Sequence, residues 1–193
     1  MNKTVAVLFA RSDSIYKSMP QCEVYDAERD AHSYTGNLPV IAHPPCKQWC
    51  RLRKQAKENP QEKALALWAV AQVRRYGGIL EHPYPSELWK AAQLPRAGET
   101  DKHGGWTLAL LQSDFGHKAR KPTMLYIVGI EPQHIKPPML TLGRASHVIA
   151  TKKTTTSRPE VPRADREHTP EPMARWLIQV AEQCQIKQIK RDN

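Results

Sequence analysis

Two residues in this chain combine reactive chemistry with a well-defined place: Cys46 in "VIAHPPCKQWC" and Glu81 in "ILEHP". A thiol becomes a strong nucleophile once ionised, and it ionises near neutrality only beside positive charge or a favourable dipole. His43, Lys47, Arg51 and Arg53 are close enough in sequence to supply that charge. Pro44 and Pro45 fix two successive φ angles and stiffen the turn that presents the thiol. Glu81 closes an apolar run and is followed by His82 and Pro83, so burial predicts a raised carboxyl pKa and a proton to donate at neutral pH. A thiolate beside a carboxylic acid suits addition to a pyrimidine: sulfur adds to ring carbon-6, the acid protonates ring nitrogen 3, and carbon-5 turns electron-rich. Singly, each residue has a plainer reading, Cys46 as a small residue in a rigid turn and Glu81 as an acid that caps a loop or pairs with an arginine. His43, Cys46 and Cys50 also spell H-x2-C-x3-C, a set of zinc-ligand types. Zinc deaminases, however, place a His-x-Glu ahead of a Pro-Cys-x-x-Cys, and here the acid follows and the cysteine spacing is three.

Positioning these two side chains falls to a set of short apolar runs. "TVAVLFA" (4–10), "CEVYDAERDA", "LPVIAH" and "ILEHP" read as strands, the first of them covered on both faces. Between the last two, Asn59 as N-cap, Pro60 at the first helical position and Glu62 three residues on open a helix, "QEKALALWAVAQVRR", that Gly77 and Gly78 stop. Residues 38–83 thus predict a β-α-β unit with two parallel strands. Ligands of open parallel sheets bind beyond the carboxyl ends of the strands, which is where Cys46 and Glu81 both fall. "TLALLQSDFGH" and "TMLYIVGI" predict a hairpin joined by the basic turn "KARKP". Residues 131–168 predict a long loop, and "TPEPMARWLIQVAEQC" a closing helix capped by Thr169, started by Pro170, with an apolar stripe of Met173, Trp176, Leu177, Val180, Ala181 and Cys184.

The 193 residues carry 29 Lys and Arg against 19 Asp and Glu, a net charge of +10, which favours polyanions, nucleic acid first. The length fits one compact α/β domain over residues 1–193. No stretch approaches the roughly 20 apolar residues of a membrane span, and the first residues lack the pattern of a signal peptide, so the expected location is the cytoplasm. In that reducing setting the four cysteines are expected free, with Cys22 and Cys184 structural.

Taken in order, "HPPC", "LEHP" and "QSDFGHKARKPTMLY" resemble the Pro-Cys loop, the Glu-Asn-Val segment and the hairpin of the cytosine carbon-5 DNA methyltransferases, and "HTPEPMARWLIQVAEQ" is similar to that family's closing helix. The likeness spans roughly residues 38–128, and the chain looks like a small phage or prophage protein of a bacterial host. It implies a Rossmann-like, methyltransferase-type sheet, mostly parallel and flanked by helices, with an antiparallel hairpin at one edge. It also implies Cys46 as covalent nucleophile and Glu81 as the group at ring nitrogen 3. His43, Pro45, Arg51, Arg53, His82, Gln112, Arg120 and Lys121 would hold DNA and a base flipped out of the duplex. S-adenosylmethionine would be the cofactor, with Phe9, Asp13, Asp26 and Glu28 as the residues facing it. The sequence departs from the family in three places: "FARSDSIY" replaces a glycine-rich turn, His82 replaces an Asn, and about forty residues leave no separate target-recognition domain. The alternatives are a non-catalytic protein of this type that binds DNA or a protein partner, and pyrimidine modification with another electrophile or on a nucleotide.

Overall fold

The computed structural model describes residues 2–50, 57–141, 144–149 and 157–185. Six strands form one sheet: β1 (Val5–Leu8), β2 (Cys22–Tyr25), β3 (Val40–Ala42), β4 (Gly78–Pro83), β5 (Trp106–Leu111) and β6 (Pro122–Val128), in the order β2-β1-β3-β4-β6-β5. The first four run parallel, and β6 is antiparallel to both β4 and β5. The parallel β3-α1-β4 unit and the antiparallel β5–β6 pair are those that the sequence predicts, in a mixed α/β sheet.

Strand side chains alternate between faces, and both faces are covered. Val5, Val7, Ile41, Ile79, Leu125 and Ile127 pack with α3 (Glu171–Ala181). Ala6, Leu8, Val40, Ala42, Leu80 and Tyr126 pack with α1 (Pro60–Tyr76) on the other side. The α1 N-terminus is built as its sequence predicts, with the Asn59 side chain accepting from the Glu62 N–H and Pro60 opening the helix. Gly78, at φ 116°, starts β4, and a Cβ there would collide with the Val40 backbone, so the tight passage from α1 into the sheet depends on a glycine. The whole apolar stripe of α3 is buried.

Two local readings need correction. Thr169 does not cap α3: Pro170 is the N-cap, without a side-chain hydrogen bond, and Pro172 sits in the first turn. The strand begun at Trp106 ends at Leu111, and Gln112–Phe115 forms a single 3-10 turn. A one-turn helix, α2 (Leu88–Ala91), follows β4, with Ser86 Oγ accepting from the Leu88 N–H. It is too short for any apolar period to announce it. Between β6 and α3 the described residues hold 3-10 turns at Pro132–His134 and Arg163–Glu167, and His147 and Val148 make isolated bridges to Ala119 and Glu160. Among the described residues, no helix is long and apolar enough to cross a membrane.

Candidate active site

A cleft of about 1100 Å³ opens at the carboxyl ends of β1, β3 and β4. Its walls come from the turn after β1, the Pro-Pro-Cys turn after β3, the end of β4, the approach to β6 and the segment leading into α3. This is the place where strand order and direction predict a ligand site in an open sheet. Cys46 and Glu81, placed here by separate strand ends, line the same cleft.

Cys46 follows Pro44 and Pro45 and begins a tight turn in which the Trp49 and Cys50 N–H groups both donate to the Cys46 carbonyl. Trp49 is buried in the core on the α1 side and anchors this turn to the body of the protein. The Cys46 thiol is held below its ordinary pKa, first by a hydrogen bond from Cys50 and, more weakly, by the charge of Lys121, against opposing burial and the charges of Glu81 and Glu167. Cys50 therefore favours the thiolate form of Cys46, a contact that the spacing alone does not reveal. Cys22 and Cys184 are buried and free, with burial pushing their thiols up to about 11 and about 12, as suits inert core residues.

Glu81 is buried, and both its oxygens are occupied. Oε1 accepts from Gln112 Nε2 at 3.0 Å, and Oε2 lies 3.1 Å from His43 Nδ1. His43 Nε2 is in turn 3.2 Å from the Tyr16 hydroxyl, and Gln112 Nε2 also donates to Thr123 Oγ1 at 3.0 Å. Burial alone would push the carboxyl up, which is the expectation from sequence. The His43 hydrogen bond, followed by the charge of Lys121, outweighs it and holds Glu81 below the usual carboxylate range. The expected raised pKa is thus corrected: Glu81 by itself stands as an anion at neutral pH.

Several expected contacts fall elsewhere. His82 points to the opposite face of β4, is wholly buried with neither ring nitrogen hydrogen-bonded, and does not line the cleft. Burial pushes its pKa down to about 4, against the charge of Glu81 and the nearby Pro45 carbonyl. Gln112 is also fully buried and does not line the cleft; it acts on Glu81. His43, Pro45, Arg120 and Lys121 do line it, while Arg51 and Arg53 lie outside the described residues.

On the far side of the cleft, Phe9 and Asp13 are wall residues, Phe9 with a positive φ of 60° directly after β1. Arg11 pairs with Asp13 and with Glu167, and Asp13 also meets His168 at 3.0 Å, so the turn after β1 is tied to the segment before α3. These contacts hold the Asp13 carboxyl well below its ordinary value, the Arg11 hydrogen bond most of all. Asp26 and Glu28 do not reach the cleft. Asp26 is bound by Lys17 and accepts from the Glu28 and Arg29 N–H groups, and Glu28 faces a separate surface groove. Tyr16 and His168 are the site residues that sequence reasoning missed, and Cys50 entered it only as a zinc-ligand type; each depends on a partner distant in sequence or on a hydrogen bond with no motif.

Among the described residues no group of three or more His, Cys, Asp or Glu side chains could hold a metal ion, and both ring nitrogens of His43 are engaged away from the cysteines. No protein-family model matches this chain, and no curated protein matches it significantly.

Proposed function

We propose that this protein is a DNA-directed enzyme that activates a cytosine at carbon-5 by covalent addition through Cys46. The reading rests on one observation: a low-pKa thiol and a carboxylate held at both oxygens line a single cleft at the strand ends. The Cys46 thiolate adds to ring carbon-6, Glu81 mediates proton transfer at ring nitrogen 3, and carbon-5 becomes nucleophilic. Electrophile addition, loss of the carbon-5 proton and elimination of the thiolate then restore the ring. Exposed Lys47 and Arg120, with half-buried Lys121 beside them, form a basic rim suited to phosphates, and a duplex base would be flipped out to reach the thiol. The strand order, with antiparallel β6 inserted beside β4, supports the Rossmann-like, methyltransferase-type reading of the sheet.

S-adenosylmethionine, the electrophile that the resemblance implies, fits the residues poorly. The acids after β2 that would take its ribose lie outside the cleft, with Asp26 bound by Lys17. Where the family has glycines, Arg11 spans to Asp13 and Glu167. The same ion-pair network favours a second reading, a non-catalytic DNA- or partner-binding protein.

Exchange of the cytosine carbon-5 hydrogen in D2O, followed by mass spectrometry of DNA or of free cytidine nucleotide, reports covalent addition without any added electrophile. Exchange that Cys46→Ala and Glu81→Gln abolish is the expected result. No exchange on either substrate, with salt-sensitive DNA binding intact in Cys46→Ala, overturns the enzyme reading in favour of the binding one. A stable adduct with 5-fluorocytosine DNA that requires S-adenosylmethionine would identify the methyl donor.

A further inference from the structure

We propose that His43 and Glu81 work as one proton-holding unit, in which His43 stores the proton that Glu81 passes to ring nitrogen 3 and Tyr16 holds His43 in register. This inference rests on the pyrimidine reading of the site and names a residue whose role that reading leaves open. Glu81 can reach a base in the cleft, but both its oxygens are already engaged and its carboxyl is held as an anion. An acid at nitrogen 3 needs a proton source behind the carboxylate. His43 is the titratable neighbour in place, with Nδ1 on Glu81 Oε2 and Nε2 on the Tyr16 hydroxyl.

A His43 loaded with the extra proton sets the directions of these contacts. An ionised carboxylate only accepts, so in the loaded state Nδ1–H donates to Glu81 and Nε2–H donates to Tyr16 Oη. When sulfur forms its bond to carbon-6, the ring π electrons shift toward nitrogen 3. Nδ1 gives its proton to the Glu81 carboxylate, and the carboxyl so formed gives it on to nitrogen 3. His43 is left neutral with its remaining hydrogen on Nε2, still donated to Tyr16. Elimination of the thiolate sends the nitrogen 3 proton back along the same path, so the pair ends each cycle as it began. Tyr16 suits this part because it is 1% exposed and its hydroxyl is kept un-ionised by burial and by the charge of Glu81. Tyr16, Cys46 and Lys121 are the titratable groups facing the pair from the neighbouring elements, with Cys22 behind Tyr16, Glu167 across the cleft and His82 on the opposite face of β4. His43 acts through Glu81, so it is a positioning and proton-storing residue.

The test is His43→Asn, whose amide N–H can still donate to Glu81 but cannot carry the extra proton. Carbon-5 exchange near neutral pH is expected to fall by about 10²- to 10⁴-fold, with the residual rate rising as the pH is lowered and Glu81 takes up its own proton. An unchanged rate, or a loss equal at every pH, overturns the proposal. Imidazole ¹⁵N resonances of the intact protein give a readout free of turnover. The His43 Nδ1 resonance should report a hydrogen shared with Glu81 and should move in Glu81→Gln, while Nε2 keeps its contact with Tyr16. An Nδ1 resonance indifferent to Glu81→Gln overturns the pairing. Failure of the wild-type protein to exchange at all would instead overturn the pyrimidine reading, while the ¹⁵N resonances still decide whether the two groups share a proton.

Discussion

The two ends of the cleft are held by opposite means. At the β3–β4 end, Glu81, Gln112, Thr123, Tyr16 and His43 form a network in which all but His43 are buried and every contact runs between different elements. At the β1–α3 end, Arg11, Asp13, Glu167 and His168 form a network of exposed ion pairs. A buried network fixes geometry because its groups have no water to turn to, whereas an exposed one exchanges freely with solvent and salt. The β3–β4 end is therefore a fixed constellation, and the β1–α3 end an adaptable wall.

The largest effect that should separate the two ends is the response to acid, carried by His82 behind Glu81. Its folded pKa, about 4, lies below the ordinary value of 6.5, so the unfolded chain binds the extra proton first. That contribution is fully present above about pH 6.5, declines as the pH falls toward 4, and is spent below it, for a total of about 3 kcal/mol. Urea titrations from pH 7.5 to 4 should show this loss, and His82→Leu should flatten it. A wild-type profile that is already flat across that window would mean that His82 is not held neutral, and the β4 end would lose its claim to a dry interior.

Gln112→Leu sharpens the same contrast with a smaller expected effect. It removes a donor from a buried carboxylate and from Thr123, a loss of about 1–3 kcal/mol by the usual cost of an unmet buried hydrogen bond. The result should sit toward the lower end, because Gln112 Oε1 already lacks a partner and the substitution removes that orphan as well. Denaturant unfolding measures it, and destabilisation well above that range would show that Gln112 holds more than Glu81.

How far the sequence reveals these two ends also differs. The strands and α1 are legible because their signals are local: β-branched runs, and the Asn59-Pro60-Glu62 start with its glycine stop. The meeting of Cys46 and Glu81 is legible because strand ends in an open parallel sheet share a cleft whatever the distant packing. The protonation of Glu81 is not legible, since it turns on a histidine 38 residues away whose ring direction only the folded chain sets. Asp26 fails as a cleft residue for a similar reason: its position after β2 is right, but Lys17 from the neighbouring turn claims it.

The smallest effect belongs to the exposed end. Arg11→Ala deletes two ion pairs at once, yet Arg11 is about half-buried and its partners Asp13 and Glu167 stand in solvent, with side-chain exposures of 35%, 51% and 71%. Coulomb attraction between such groups is weak in water and falls away once the screening length shrinks to about 3 Å at 1 M salt. The variant should melt slightly below the wild-type protein in dilute buffer and together with it at 1 M sodium chloride, by calorimetry at both ionic strengths. A deficit that persists at high salt would mean that the turn after β1 is fixed by packing of the Arg11 stem as well as by charge. That outcome would make the wall less adaptable and narrow the difference between the two ends of the cleft.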